Sequence, residues 1–322
     1  MIPVLILAFN RPDFVMNRLI ELENQTIKPT KIIVSIDGPR ESNSEDNINI
    51  SKILGILESD TNAHILVIRR ENNLGCTNNV ILSVNEVLEE FEYIIVLEDD
   101  VSISPNFYAQ MVEAINFFLK NKNNNLENIL TIGGFSPFYN NSTNLVSRYL
   151  LPVNKWRKTK YFHSWGWATS RIFWSKFIHL DNKLIDFDSL LSTSEHWSKL
   201  SERKKTIWKK RFPRSWDYQV QGNLFLQDGF NLFPYYRIVH NEGLGDHRAT
   251  HTTQKKPWHI FGDTFSLYGP KSFKIKNTGI IGRFLEANSL AADGYFVARA
   301  RNKGFRTLAR EFIYKWKESI NC

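Results

Sequence analysis

Apolar residues in this chain come in short unbroken runs, separated by stretches where they recur every three or four positions. "VLILAFN" (4–10), "KIIVSIDG" (31–38), "AHILVIRR" (63–70), "YIIVLEDD" (93–100) and "ILTIGGF" (129–135) are runs of strand length. Runs apolar at both odd and even positions suit strands covered by helices on two faces. Between them, Arg11-Pro12-Asp13 opens "FVMNRLIELEN" at helical spacing. Residues 47–58 form a second helical segment, a third begins near Thr77, and a fourth spans 106–120. Strand and helix thus alternate through residue 135, which predicts an α/β fold with a mainly parallel sheet flanked by helices.

Beyond residue 135 the period loosens into a mixed, aromatic-rich second half. Residues 139–167 combine Asn/Ser turns, bases and aromatics without a clean repeat, as a lid or small subdomain does. Residues 170–178, 194–212 and 215–229 read as helices, and "FNLFPYYRIVHN" (230–241) as a late strand. Near the end, Phe305, Leu308, Phe312, Ile313 and Trp316 share one face of a basic amphipathic helix over 299–317. These changes divide the chain into 1–135, an α/β ligand-binding half, 136–260, a second half of the same domain, and 261–322, a C-terminal extension.

Composition narrows the class. With 322 residues, 42% hydrophobic and 23% charged, the chain can bury a sizeable core. No apolar run approaches the roughly 20 residues of a membrane span. The apolar start lacks a basic region and a cleavage site, so it reads as a strand and the protein is expected in the cytosol. Cys76 and Cys322 are too few for a disulfide framework and read as free thiols. Neither a phosphate loop nor a G-x-G-x-x-G after the first strand is present, which argues against P-loop and dinucleotide-binding enzymes. Residues 1–150 carry 11 Lys/Arg against 19 Asp/Glu, and the remainder 30 against 14. A basic second half suits an anionic partner, although solvated lysines explain much of such an excess. Nucleic acid is not expected, because the first half is acidic and no recognised binding motif occurs.

Candidate chemistry sits where strands end. Ligands of open α/β sheets bind beyond the carboxyl ends of the strands, where Arg11, Asp37 and the triplet Glu98, Asp99 and Asp100 fall. Alternation along an extended chain directs Glu98 and Asp100 to one side and Asp99 to the other. Like charges crowded against a buried strand are costly unless a cation compensates them, and hard divalent cations prefer oxygen ligands. A plainer alternative is that one or two of the acids cap the following helix. Asp217, after Trp216, starts a helix, where the dipole alone favours an acid. Asp37 before Gly38 has the form of a turn residue.

The run E-D-D-x-x-x-x-P-x-F-[FY] at 98–108 resembles the metal-binding motif of GT-A glycosyltransferases. It is similar to the N-acetylglucosaminyltransferase I group and to bacterial sugar transferases related to it. "IPVLILAFNRPD", "IIVSIDG", "SWGWAT" (164–169), Trp216-Asp217 and "NEGLGDHRATHT" (241–252) resemble further elements of that group, in order. The resemblance covers residues 2–252 and implies a GT-A α/β fold. It implies that Asp100 holds Mn2+ or Mg2+ at the donor diphosphate, Asp99 meets the ribose, and Glu98 meets the sugar or a neighbouring backbone. It places Asp37 at the base, Arg11 near the diphosphate and Asp217 as catalytic base. His251, then His247, from a loop that also has His240, is the candidate to complete the metal site; a loop anchored by neutral histidines is the alternative. Trp165 and Trp167 suit stacking on a sugar, though a buried aromatic is the commoner explanation for any tryptophan. Gly133 and Gly134 would let a ligand approach the backbone.

The resulting expectation is a metal-dependent, inverting hexosyl- or N-acetylhexosaminyltransferase that uses a nucleotide-sugar, first a UDP-sugar. Its acceptor is a glycan or lipid-linked glycan in bacterial surface polysaccharide synthesis. The basic tail offers peripheral contact with the inner membrane face, or packs on the body. Two rivals stand beside this reading, a sugar nucleotidyltransferase and a non-catalytic carbohydrate-binding protein.

Overall fold

The computed structural model describes residues 1–59, 64–119, 128–135, 156–180, 185–234, 238–243, 246 and 248. Four parallel strands form one side of an eight-stranded sheet: β1 (Val4–Ala8), β2 (Ile32–Ile36), β3 (Ile65–Arg69) and β4 (Tyr93–Glu98). Between them run α1 (Pro12–Glu23), α2 (Ser44–Ser59) and α3 (Gly75–Glu90). After β4 come β5 (Val101–Ile103) and α4 (Phe107–Ala114), which closes in a π-helical turn, Ile115–Leu119. The second half adds β6 (Ile129–Gly133), β7 (Trp156–Thr159), β8 (Trp167–Ser170), α5 (Arg171–Trp174), α6 (Phe187–Leu190), α7 (Glu195–Ser198), α8 (Glu202–Arg211), α9 (Trp216–Leu226), β9 (Phe230–Pro234) and β10 (Val239–Asn241).

The strand order is β3-β2-β1-β4-β8-β6-β9-β7, so strands from both halves of the sequence share one sheet. β8 joins antiparallel to β4, while β5 and β10 form a separate antiparallel ribbon. This is the mostly parallel α/β architecture that the alternation predicts, of the GT-A type that the resemblance implies, with an aromatic-rich second half.

Alternation within the buried strands builds two cores. Val4, Ile6 and Ala8 of β1 and Ile95 and Leu97 of β4 pack on the side of α1 and α2, with Val15, Leu19, Leu22, Ile50 and Ile53. Leu5, Leu7, Ile94 and Val96 pack on the other side, with Val80, Val84 and Val87 of α3 and Trp216, Val220 and Leu224 of α9. Strands buried on both faces need such unbroken apolar runs. A third core gathers Tyr161, Leu180, Leu191, Trp197, Leu200, Trp208, Phe212 and Phe225 under the helices of the second half.

Three sequence expectations change at the level of elements. The predicted helix 194–212 is two helices, because the backbone at Ser201 is extended (φ −65°, ψ 152°) and restarts the helix there. The predicted strand 230–241 carries two strands of different sheets, β9 in the eight-stranded sheet and β10 paired with β5, with residues 235–237 between them outside the described residues. The predicted elements also gain one, β5, which lies between the acid triplet and α4 and pairs with β10.

Trp208 is the one buried side chain of α8, 5% exposed, with Phe225 at 5.7 Å and Phe212 at 5.9 Å between ring centroids. Trp208→Ala is expected to cost about 3–5 kcal/mol of stability, as large-to-small core changes do. Urea unfolding measures it; a loss under about 1 kcal/mol would mean the third core does not rest on this ring.

Candidate functional site

β1, β2 and β4 are parallel neighbours, so the residues following them meet on one rim of the sheet. There the Arg11 guanidinium donates to both Asp99 oxygens, from Nη2 and from Nε (3.2 Å to Oδ2), and from Nη1 to Asp100 Oδ2 at 2.9 Å. The guanidinium carbon also lies 5.0 Å from the Phe14 ring centroid. Strict alternation would have sent Asp99 and Asp100 to opposite sides. Instead β4 ends at Glu98 and the chain turns, so both carboxylates reach one cation. Asp99 keeps its backbone bond to Leu7 O at 3.0 Å.

Glu98 continues the Ile94–Val96 side of β4, the side covered by α3 and α9. Asp217 is the second residue of α9 and accepts a hydrogen bond from the Ser215 hydroxyl. Burial, then the fields of Asp100, Asp217 and Asp99, hold the Glu98 carboxyl well above the usual carboxylate range, with Arg11 opposing them. Burial lifts Asp99 to about 6 against the attraction of Arg11. Burial lowers the Arg11 pKa, but Asp99 and Asp100 outweigh it and raise the balance. Cys76, in the first turn of α3, feels desolvation and all four acids, which push its thiol up to about 12.

Asp100, 8% exposed, is enclosed by the start of the late loop. Its Oδ1 accepts from Asn241 Nδ2 at 3.3 Å, its carbonyl accepts from Glu242 N at 2.8 Å, and Gly243 lies against its carboxylate. A side chain at Gly243 would occupy the space of that carboxylate. Helix α1 holds this loop. Fully buried Arg18 pairs with Glu242 at 2.9 Å and Glu21 at 3.1 Å. Arg248 donates to both Asp13 oxygens, at 2.6 and 2.8 Å, and lies 4.9 Å from the Phe14 centroid. Arg18, Glu21 and Glu242 were not among the predicted site residues. A signal existed for Arg18, which falls on the apolar stripe of Phe14, Val15, Leu19 and Leu22.

Other expected residues take different work. Asp37, 4% exposed, accepts from Gly38 N (2.9 Å), Leu74 N (2.8 Å), Gly75 N (3.0 Å) and Asn73 Nδ2 (3.2 Å). Four donors fill a carboxylate's acceptor sites. Asp37 thus ties β2 to the start of α3. Trp167 is fully buried and stacks on Trp216 at 5.7 Å, so no face is open to a sugar; it supports the residue beside Asp217. The space beside Gly134 belongs to Val239, Phe107 and Gly166, whose carbonyl accepts from Gly134 N at 2.6 Å, rather than to a ligand. Trp165 is partly buried against Phe135 and His163, each 4.8 Å away. His240 lies in β10; His247, His251 and the tail 299–317 lie outside the described residues.

Among the described residues, no three acids, histidines or cysteines form a cage for a metal ion. The donor set nevertheless fits Mn2+ or Mg2+. Asp99 and Asp100 share the Arg11 guanidinium, while burial and the fields of Asp100, Asp217 and Asp99 hold the Glu98 carboxyl well above the usual carboxylate range. Magnesium-like cations often use one or two carboxylates and complete their shell with water and substrate phosphates.

A parallel α/β sheet with an acidic rim of this kind is the architecture of nucleotide-sugar transferases. A family model described as glycosyl transferase family 2 matches residues 4–173, over half of the sequence, and the chain belongs to that family. The matched span carries Arg11, Asp37 and Glu98 to Asp100; Asp217 lies beyond it. The likeness to the N-acetylglucosaminyltransferase I group is finer than this match reaches. No curated protein sequence matches the chain. Among solved structures it resembles the mannosyltransferase PcManGT from Pyrobaculum calidifontis in complex with GDP-Man and Mn2+ (12% identity, 54% of this chain and 46% of that one, TM-score 0.37). It also resembles S. aureus TarS in complex with UDP (13% identity, 54% and 48%, TM-score 0.36). The chain thus spans under half the length of those two structures.

The Arg18 network gives a stability prediction. Burial, opposed by Arg18, pushes Glu21 up to about 7. The native state then binds a proton more tightly than the unfolded state, so stability falls as pH rises between about 4.5 and 7. Glu21→Gln should flatten that slope, by up to about 3 kcal/mol across the window. Urea unfolding at several pH values measures this; parallel curves for the two proteins would refute it.

Proposed function

We propose that the chain is a metal-dependent, inverting glycosyltransferase that moves a sugar from a nucleotide-diphosphate donor, a UDP-sugar first, to a glycan hydroxyl. The observation that carries this reading is the meeting of Arg11, Glu98, Asp99, Asp100 and Asp217 at the carboxyl rim of the sheet in a family 2 chain. Arg11 and the metal ligand Asp100 face the diphosphate, Asp99 the ribose, and Glu98 the sugar. A bound Mn2+ or Mg2+ supplies Lewis-acid neutralisation of the leaving diphosphate. Asp217 takes the proton of the acceptor hydroxyl as its oxygen bonds to the anomeric carbon and the carbon–diphosphate bond breaks. Attack from the face opposite the leaving group gives inversion. Ser215 orients the Asp217 carboxylate, and Trp167 and Trp216 fix the start of α9.

In this reading residues 1–135 hold the donor and 136–260 present the acceptor, with Trp165 at the sugar. His251 is carried as a second metal ligand. The acceptor belongs to a bacterial surface glycan, and the protein works in the cytosol or at the inner membrane face through 299–317. Among the described residues, no helix is long and apolar enough to cross a membrane.

A panel of nucleotide-sugars with Mn2+, read by released nucleoside diphosphate, tests the reaction class; release of pyrophosphate instead would point to a nucleotidyltransferase. With the best donor, Asp217→Asn should lower kcat by about 10²–10⁴ while leaving donor affinity unchanged. Turnover at the wild-type rate would remove Asp217 from the mechanism.

A further inference from the structure

Helix α8 and the turn after it carry Arg203, Lys204, Lys205, Lys209, Lys210, Arg211 and Arg214 against one acid, Glu202. Lys205 pairs with Glu202 at 2.8 Å and Lys209 with Asp188. Arg203, Lys204, Lys210 and Arg214 have no acidic partner among the described residues. The apolar side of the helix is already used, since Trp208 is packed into the third core, and Ile207, 37% exposed, is the remaining apolar residue on it. A helix that lies in a membrane interface needs a broad free apolar face. This one is polar around its exposed circumference, so its free energy of association is electrostatic.

The patch leads to the reaction site. The Arg211 guanidinium lies over the rings of Trp208 (5.8 Å) and Tyr218 (5.3 Å), and Tyr218 follows Asp217 directly. Arg214 precedes Asp217 by three residues, so their Cα atoms are at most about 11 Å apart. A ten-residue helix is about 15 Å long, more than one phosphate or carboxylate occupies, which suits charges repeated along a chain.

We infer that α8 and Arg214 form a docking surface for an anionic glycan acceptor, a sugar chain carrying phosphate or carboxylate groups, and guide its end toward Asp217. This rests on the transferase reading above and adds the chemical class of the acceptor. Lysines and arginines that release counterions on meeting a polyanion give binding that weakens steeply with salt.

The test measures binding of the full chain to four immobilised probes: phosphomannan, hyaluronate, neutral mannan, and vesicles of phosphatidylcholine with phosphatidylglycerol. The wild type should hold phosphomannan, hyaluronate or both, lose them as salt rises from about 50 to about 200 mM, and ignore neutral mannan. Arg203→Gln, Lys204→Gln, Lys210→Gln and Arg214→Gln combined should weaken that binding about tenfold or more, with near-ultraviolet dichroism unchanged. If the combined variant does not fold, Arg203→Gln with Lys204→Gln should still weaken it, and the salt response of the wild type stands by itself. Failure to bind either anionic glycan, equal binding by the variant, equal retention of neutral mannan, or binding confined to the vesicles would each overturn the inference. UDP binding by the same wild-type preparation reports separately on the transferase reading.

Discussion

The pairing of Arg11 with Asp99 and Asp100 is the interaction on which the rest of the site depends. The end of β4 delivers Glu98, Asp99 and Asp100 to one rim, α9 adds Asp217 near Glu98, and one guanidinium bonds Asp99 and Asp100. Taking ions out of water is costly, and an arginine in contact with two carboxylates recovers part of that cost through charge-assisted hydrogen bonds. The remaining imbalance appears at Glu98, which is driven to hold its proton. In the proposed reading, a cation and the phosphates that accompany it would supply the positive charge this rim lacks.

Helix α1 links this charge arrangement to the late loop. Arg11 meets the acids, Asp13 and Phe14 meet Arg248, and Arg18 and Glu21 meet Glu242 and the β5 backbone. The same loop sends Asn241 and Gly243 against Asp100. Residues far apart in sequence therefore share one support. Displacing the Arg18–Glu242 pair would strand a buried charge and loosen the wall beside Asp100 together.

The order of strands and helices through residue 135 was legible, because β1, β2, β4 and β6, buried on both faces, write themselves as unbroken apolar runs; β3 has the same apolar run although it is an edge strand with Leu66 and Val67 exposed. So was the rim, since a parallel sheet collects whatever follows its strands. The splitting of 194–212 was harder to read, because a single extended serine outweighs periodicity, and nothing in the spacing of 230–241 marks that its two ends join different sheets. Side-chain roles were less legible still. Asp37 and Trp167 were marked as donor-binding, but their contacts here are made by Leu74, Gly75 and Trp216, which spacing does not encode. Arg18 shows the converse: a charge on an apolar stripe was visible, yet its partner Glu242 lies 224 residues away.

The central claim is that the acidic rim holds a divalent cation against a donor's diphosphate through Asp100. Calorimetric titration of UDP into the wild type and Asp100→Ala, each with and without Mn2+, addresses it most directly. The wild type should bind UDP more tightly when Mn2+ is present, and Asp100→Ala should lose that gain. Equal UDP affinity in all four titrations would contradict the account.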